Sequence, residues 1–215
     1  MIRVHFTRLF WLLSVPLLLT GCLRLEKPYP QKNSYALELP RSVPAQQPLS
    51  QGVLQIRKFD SAPAYRSKGF VYRTGPQAWH SDYYHQFFVQ PADMITELCR
   101  RRLQQRELFD QINQGGYPPA SELLQGRIVA LYGDYRPDHP PMAVLELQLT
   151  LIDERSAPTR PLLDRIYRRS LPLADRTPAS LVDAWSKALA EILDEFEIQL
   201  QQMQSSHTQQ QGSAS

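Results

Sequence analysis

From Met142 to Asp153 side chains alternate in character almost without interruption, with Ala143, Leu145, Leu147, Leu149 and Leu151 on one side and Val144, Glu146, Gln148 and Thr150 on the other. A period of two puts these sets on opposite faces of an extended chain, so the stretch reads as a strand with one buried and one wet face. Strand candidates flank it, Gly126 to Tyr135 and Leu162 to Leu171. The connections, Pro137-Asp138-His139-Pro140-Pro141 and Ser156-Ala157-Pro158-Thr159, are short and rich in turn formers, which makes the trio an antiparallel meander. A sheet with one apolar face needs a second layer to cover it. The closing segment supplies one: Thr177 caps a helix with Pro178 in its first turn, and Leu181, Trp185, Ala188, Leu189, Ile192, Phe196, Leu200 and Met203 recur at helical spacing. Its other side carries Asp183, Lys187, Glu191, Asp194 and Glu195, a solvated face.

Upstream, Tyr35-Ala36-Leu37-Glu38-Leu39, Val53-Leu54-Gln55-Ile56-Arg57, Phe70-Val71-Tyr72-Arg73 and a piece within Trp79 to Val89 have strand character. Pro40, Pro44 and Pro48 break the chain between the first two, and Gly75-Pro76 is a turn between the last two. Pro91 opens a further helix with Met94, Ile95, Leu98, Cys99 and Leu103 on one face and Arg100, Arg101 and Arg106 on the other. Cys99 falls on the apolar side and reads as a small core residue. The predicted fold is α+β, a mainly antiparallel sheet of five or six strands with two principal helices packed on one face. There is no internal repeat.

The amino terminus is of another kind. Arg3, His5 and Arg8 precede an apolar run from Leu9 to Leu19 that is too short to span a bilayer as a helix. It ends in Leu19-Thr20-Gly21-Cys22, the lipobox order: a bulky apolar residue, two small ones and a cysteine whose thiol accepts diacylglycerol. Residues 1–21 are therefore expected to be a lipoprotein signal peptide, Cys22 the lipidation site, and residues 22–34 a polar, proline-bearing tether reaching at most about 40 Å. Residues 35–203 are expected to form a single periplasmic α+β domain. Residues 204–215, rich in serine and glutamine without apolar content, are expected to be a disordered tail. With 24 basic and 21 acidic residues, and Arg3 and Arg8 leaving with the signal, near-neutral charge argues against nucleic acid as a partner. Cys99 is then the remaining free thiol, so no internal disulfide forms.

No nucleophile elbow, phosphate-cradling glycine loop or HExxH pair occurs, so no enzyme, cofactor or metal is expected. His80, Asp82 and His85 come nearest to a ligand cluster, but along a strand His80 and Asp82 share one face and His85 takes the other, so three ligands would need a bulge or bend. A hydrolase built on Ser81, Asp82 and His85 lacks a positioned nucleophile. The aromatic density is more telling. Trp79, Tyr83, Tyr84, Phe87 and Phe88 lie within ten positions, and along an extended chain they cannot all face one core. They are expected to form a partner-binding surface.

Pro63 and Tyr65, then Val71-Tyr72-Arg73, Tyr83-Tyr84 and Phe87-Phe88-Val89-Gln90-Pro91, follow an early Tyr-Ala-Leu strand and a lipobox. In this order the chain resembles the ABC-type transport auxiliary lipoproteins, the PqiC/YmbA-like family, over roughly residues 35 to 200. The helices from Pro91 and Pro178 fall where that family places them. Two departures are visible: Phe88 stands where the family has tryptophan, and Arg66-Ser67-Lys68 replaces its usual leucine-aspartate-arginine. The resemblance implies a non-enzymatic part of a system in which a periplasmic MCE-domain protein and inner-membrane components move phospholipid between membranes. The lipoprotein would be the docking or binding module, held in the outer membrane by the lipid on Cys22 with its domain facing the periplasm, and a homo-oligomer is among its implied partners. The alternative is a structural lipoprotein that assists assembly of another outer-membrane complex.

Overall fold

The computed structural model describes residues 31–45, 50–113 and 115–212, with side chains for all of these but 50, 51 and 204–212. The chain divides into Met1–Gln31 and Lys32–Ser215, and every element below lies in the second. The expected signal peptide, Cys22 and most of the tether lie outside the described residues.

The strands are β1 (Asn33–Tyr35), β2 (Ser50–Ile56), β3 (Asp60–Ser61), β4 (Gly69–Arg73), β5 (Trp79–Phe87), β6 (Phe109–Asn113), β7 (Glu122–Asp134), β8 (Met142–Asp153) and β9 (Arg160–Pro172). A 3-10 turn, Pro63–Tyr65, precedes β4, and the helices among the described residues are α1 (Pro91–Arg106) and α2 (Pro178–Gly212). The class is α+β, and among the described residues all nine strands join one mixed sheet.

Strand β7 is the hub. One edge pairs antiparallel with β8 along its whole length, from Glu122 opposite Asp153 to Asp134 opposite Met142, and β9 continues the meander beyond β8. The other edge takes three short segments in series, all parallel: β2 at Glu122 to Leu124, β3 at Arg127 and Ile128, and β4 at Gly133 and Asp134. Outside these lie β6 on β2, β5 on β4 and β1 on β5. The sheet is therefore larger than the five or six strands predicted and only partly antiparallel. Parallel neighbours need long crossovers, and the β2–β6 crossover contains β4, β5 and α1, which turn chemistry read along the chain does not reveal. β3 is two residues long, and β6 buries Phe109 while exposing Asp110 and Gln111, so neither has a readable period.

The two helices lie side by side over one face. Arg102 and Arg106 of α1 both reach Glu197 of α2, at 2.7 and 2.8 Å, and Glu197 is 4% exposed. Trp185, in the N-terminal part of α2, is fully buried and donates its indole N–H to Val144 O at 3.1 Å. Thr177 caps α2, its hydroxyl accepting from Ser180 N at 3.2 Å. Cys99 is buried, and burial pushes its thiol up to about 12, so it is the inert core residue expected. α2 extends to Gly212 through a polar run that carries no apolar stripe; side chains of the segment expected as a disordered tail lie outside the described residues. No helix among the described residues is long and apolar enough to cross a membrane.

Two readings change. The first strand ends at Tyr35 instead of starting there. Beyond it Leu37 N donates to Met94 Sδ at 3.3 Å and Glu38 N to Ser186 Oγ at 3.1 Å, so side chains of both helices satisfy this backbone and draw it off the sheet. Val144, expected on the wet face, is buried, as are Tyr132 and Tyr65. The 3-10 turn packs against β7 and covers that end of the second face.

Candidate functional site

Strands β4 and β5 form a hairpin closed at Gly75-Pro76, where Thr74 N donates to Ala78 O at 3.0 Å. Arg73 braces the turn, donating to Pro76 O at 3.1 Å, and lies over the Trp79 ring at 5.5 Å. Trp79 also meets Tyr132 edge to face at 5.0 Å, yet the indole remains 45% exposed.

The hairpin register then slips. Val71 opposes Ser81, but Gly69 opposes Gln86, so β5 carries extra residues between the two pairs and bulges outward. Asp82 organises the bulge. Its Oδ1 accepts from Tyr84 N at 2.7 Å and His85 N at 3.0 Å, while its Oδ2 accepts from the Tyr72 hydroxyl at 3.2 Å and meets His85 Nδ1 at 2.8 Å. Burial raises the Asp82 pKa, but the backbone and side-chain hydrogen bonds of His85 and the Tyr84 N–H outweigh it and hold the carboxyl below its ordinary range. Burial, then the Asp82 charge, push the Tyr72 phenol well above its own. An aspartate that caps the amides two and three residues on is a legible local signal.

This bulge sorts the aromatic residues. Tyr83 and Tyr84 stand on it, packed edge to face at 5.2 Å and 56% and 41% exposed, with Lys32 Nζ 4.0 Å over the Tyr83 ring. Past the bulge Phe87 turns inward, 1% exposed, into a cluster with Phe70 at 4.7 Å and Trp185 at 5.4 Å. Phe87 therefore leaves the predicted partner surface, because the slip returns it to the helix-covered face. Phe88 points out at 68% exposure, its N–H donating to Tyr35 O at 2.7 Å and its carbonyl accepting from Lys68 Nζ at 2.9 Å. Val89, which the sequence reading passed over, is exposed beside it. Trp79, Tyr83, Tyr84, Phe88 and Val89 thus form an apolar margin along β5 and just past its end, interleaved with Arg73, Lys32 and Lys68.

The bulge that three ligands would require exists, but it joins His85 to Asp82 and leaves His80 opposite Tyr72. Among the described residues no three His, Cys, Asp or Glu side chains are placed to hold a metal ion. Ser81 is exposed and makes no hydrogen bond to His85 among the described residues. Elsewhere, a groove of about 330 Å³ runs between residues 36–40 and α1, lined on the helix by Leu98, Arg101, Arg102 and Gln105. Arg102 is committed to Glu197 and Asp194, so the groove offers Arg101 as its accessible cation.

Residues 35–196 match the model of the ABC-type transport auxiliary lipoprotein component. The chain belongs to that family. This is a family of transport auxiliary components rather than of enzymes, and its members are membrane-associated lipoproteins of the periplasm. No curated protein matches the sequence. Among solved structures, protein XCC0632 from Xanthomonas campestris superposes with a TM-score of 0.70 at 18% identity, covering 82% of this chain and 99% of that one. An uncharacterized protein follows at 0.63 and 12%, covering 79% and 99%. The hypothetical protein CT253 from Chlamydia trachomatis gives 0.52 and 9%, covering 73% and 99%. These likenesses establish the fold.

Proposed function

We propose that this auxiliary lipoprotein is the outer-membrane docking module of an MCE-type phospholipid transport system, held by a lipid on Cys22 and engaging its periplasmic MCE-domain partner through the β5 margin. The observation that carries the reading is the margin itself. Four large aromatic side chains, Trp79, Tyr83 and Tyr84 on β5 and Phe88 just past its end, stand 41 to 68% exposed, where a domain with a filled core has no structural use for them. Aromatic anchors with cations among them are the composition of a protein interface. Leu23 after the lipobox cysteine supports the outer membrane, since the retention signal of enteric bacteria is aspartate at that position.

The test is capture of the acylated protein from crosslinked envelopes, followed by mass spectrometry. Recovery of an MCE-domain protein, lost on Tyr84→Glu while the melting temperature holds, is the expected result. Recovery of outer-membrane assembly proteins alone, unaffected by Tyr84→Glu, would overturn it. Cys22→Ser is expected to release the protein from the membrane fraction; retention of that variant would refute the anchor.

A further inference from the structure

Among the described residues β5 pairs with β1 only from His85 to Phe87. Nearer the turn its outer edge is open. Thr74 N donates to Ala78 O, and Arg73 opposes Trp79, Tyr72 opposes His80 and Val71 opposes Ser81. In that antiparallel pattern the ladder to β4 runs through His80, while the N–H and C=O groups of Trp79 and Ser81 face outward. The Asp82 bulge keeps them so: its carboxylate holds Tyr84 N and His85 N locally, and the β1 pairing does not pass it. Trp79, His80 and Ser81 are all exposed.

Charge around this edge is one-sided. Arg73 donates to Gly75 O and Pro76 O, Lys68 to Phe88 O, and Lys32 lies over the Tyr83 ring. Among the described residues none of these cations forms an ion pair. Asp82 is the one carboxylate on β5, and four donors already occupy its oxygens. We propose that the free edge of β5 from Trp79 to Ser81 takes up an extended, acidic segment of the partner as an added strand. The inference rests on the docking reading and names what that margin binds. Main-chain hydrogen bonds to Trp79 and Ser81 hold the segment, an apolar residue of it lies on Trp79, and its carboxylates reach Arg73 at the turn end and Lys32 or Lys68 at the bulge end. An anionic bilayer would meet the same cations and rings, but unpaired backbone groups are costly in hydrocarbon, so the open edge favours a protein strand.

The experiment repeats the envelope capture with full-length lipoprotein carrying Ser81→Pro, beside Ser81→Ala. Proline is tolerated on an edge strand where the lost N–H faces solvent, and there it removes a donor that an added strand needs. Capture of the MCE-domain protein is expected to fall roughly tenfold for Ser81→Pro and to hold for Ser81→Ala. Lys32→Glu is expected to lower it about threefold, a difference that shrinks in high salt. Should Ser81→Pro fail to fold by circular dichroism, hydrogen exchange on the wild-type protein decides: the Trp79 and Ser81 amides are expected to slow when the captured MCE-domain protein is bound, and unchanged exchange would overturn the proposal. Capture by Ser81→Pro equal to wild type, with Tyr84→Glu still abolishing it, would overturn the strand addition and leave the docking reading standing. No MCE-domain protein on the wild type would overturn both. Sedimentation of Cys22→Ser protein with phosphatidylglycerol vesicles, lost on Lys32→Glu, would assign the margin to a membrane surface. A Ser81→Pro effect confined to the protein's own assembly would assign it to a second copy, and either result overturns the proposal.

Discussion

Replacing Asp82 with alanine is expected to undo the β5 bulge. The carboxylate serves four donors, the N–H groups of Tyr84 and His85, the Tyr72 hydroxyl and His85 Nδ1, and its side chain is 16% exposed. A hydrogen bond to a charged acceptor contributes about 1.5 to 3 kcal/mol when buried, and less where water can take the acceptor's place. Tyr84 is exposed, so its N–H finds water and loses little. The Tyr72 hydroxyl and the two His85 groups are part-buried and lose a partner. At about 1 kcal/mol each they put the cost at about 2 to 3 kcal/mol, or about 5 to 10 °C in Tm for a domain of this size. Asp82→Asn keeps an acceptor for the backbone donors and is expected to cost about half as much. The pH dependence has a definite sign. The folded pKa of Asp82 is depressed, so its contribution is complete above the unfolded value of about 4 and is lost as pH falls through the folded one. Thermal melts by circular dichroism from pH 7 down to pH 3 should show the gap between wild type and Asp82→Asn closing in acid. A loss below about 2 °C for Asp82→Ala at pH 7, or a gap unchanged in acid, would refute the assignment of the bulge to this carboxylate.

Glu197→Ala would leave Arg102 and Arg106 facing each other beneath α2; urea titration should show a loss of about 3 to 5 kcal/mol, against less for Glu197→Gln. A Cβ at Gly126 would lie 2.5 Å from the Phe59 ring, so Gly126→Val should cost about 1 to 3 kcal/mol by the same titration, and Phe59→Leu should recover part of it in a double-mutant cycle. Glu107 ends α1 at φ 52, a left-handed conformation that favours glycine, and Glu107→Gly should raise stability by about 1 kcal/mol.

Local periodicity was reliable where one face of an element is buried along its whole length. Strand β8 spans the Met142 to Asp153 run that predicted it, and both helices begin at the prolines named, Pro91 and Pro178. In these elements each side chain's environment follows from its position in the repeat, so a one-dimensional pattern suffices. The family was legible for a similar reason, since its marks are short runs around Tyr65, Tyr72 and Pro91. The aromatic margin was legible as a surplus, five rings where one core face could not take them all. Which ring goes inside was not, because Phe87 and Phe88 are sorted by a bulge that depends on Asp82 reaching Tyr72 across the hairpin.

Composition and order along the chain determined the α+β class, the meander, the two helices and the family. Tertiary structure alone decided that β7 receives β2, β3 and β4 in series on one edge, that Leu37 and Glu38 bond to helices instead of strands, and that Glu197 is buried between two arginines. Each depends on a partner far away in the chain. Pairing energy belongs to the two segments together, and no local period records which segment arrives.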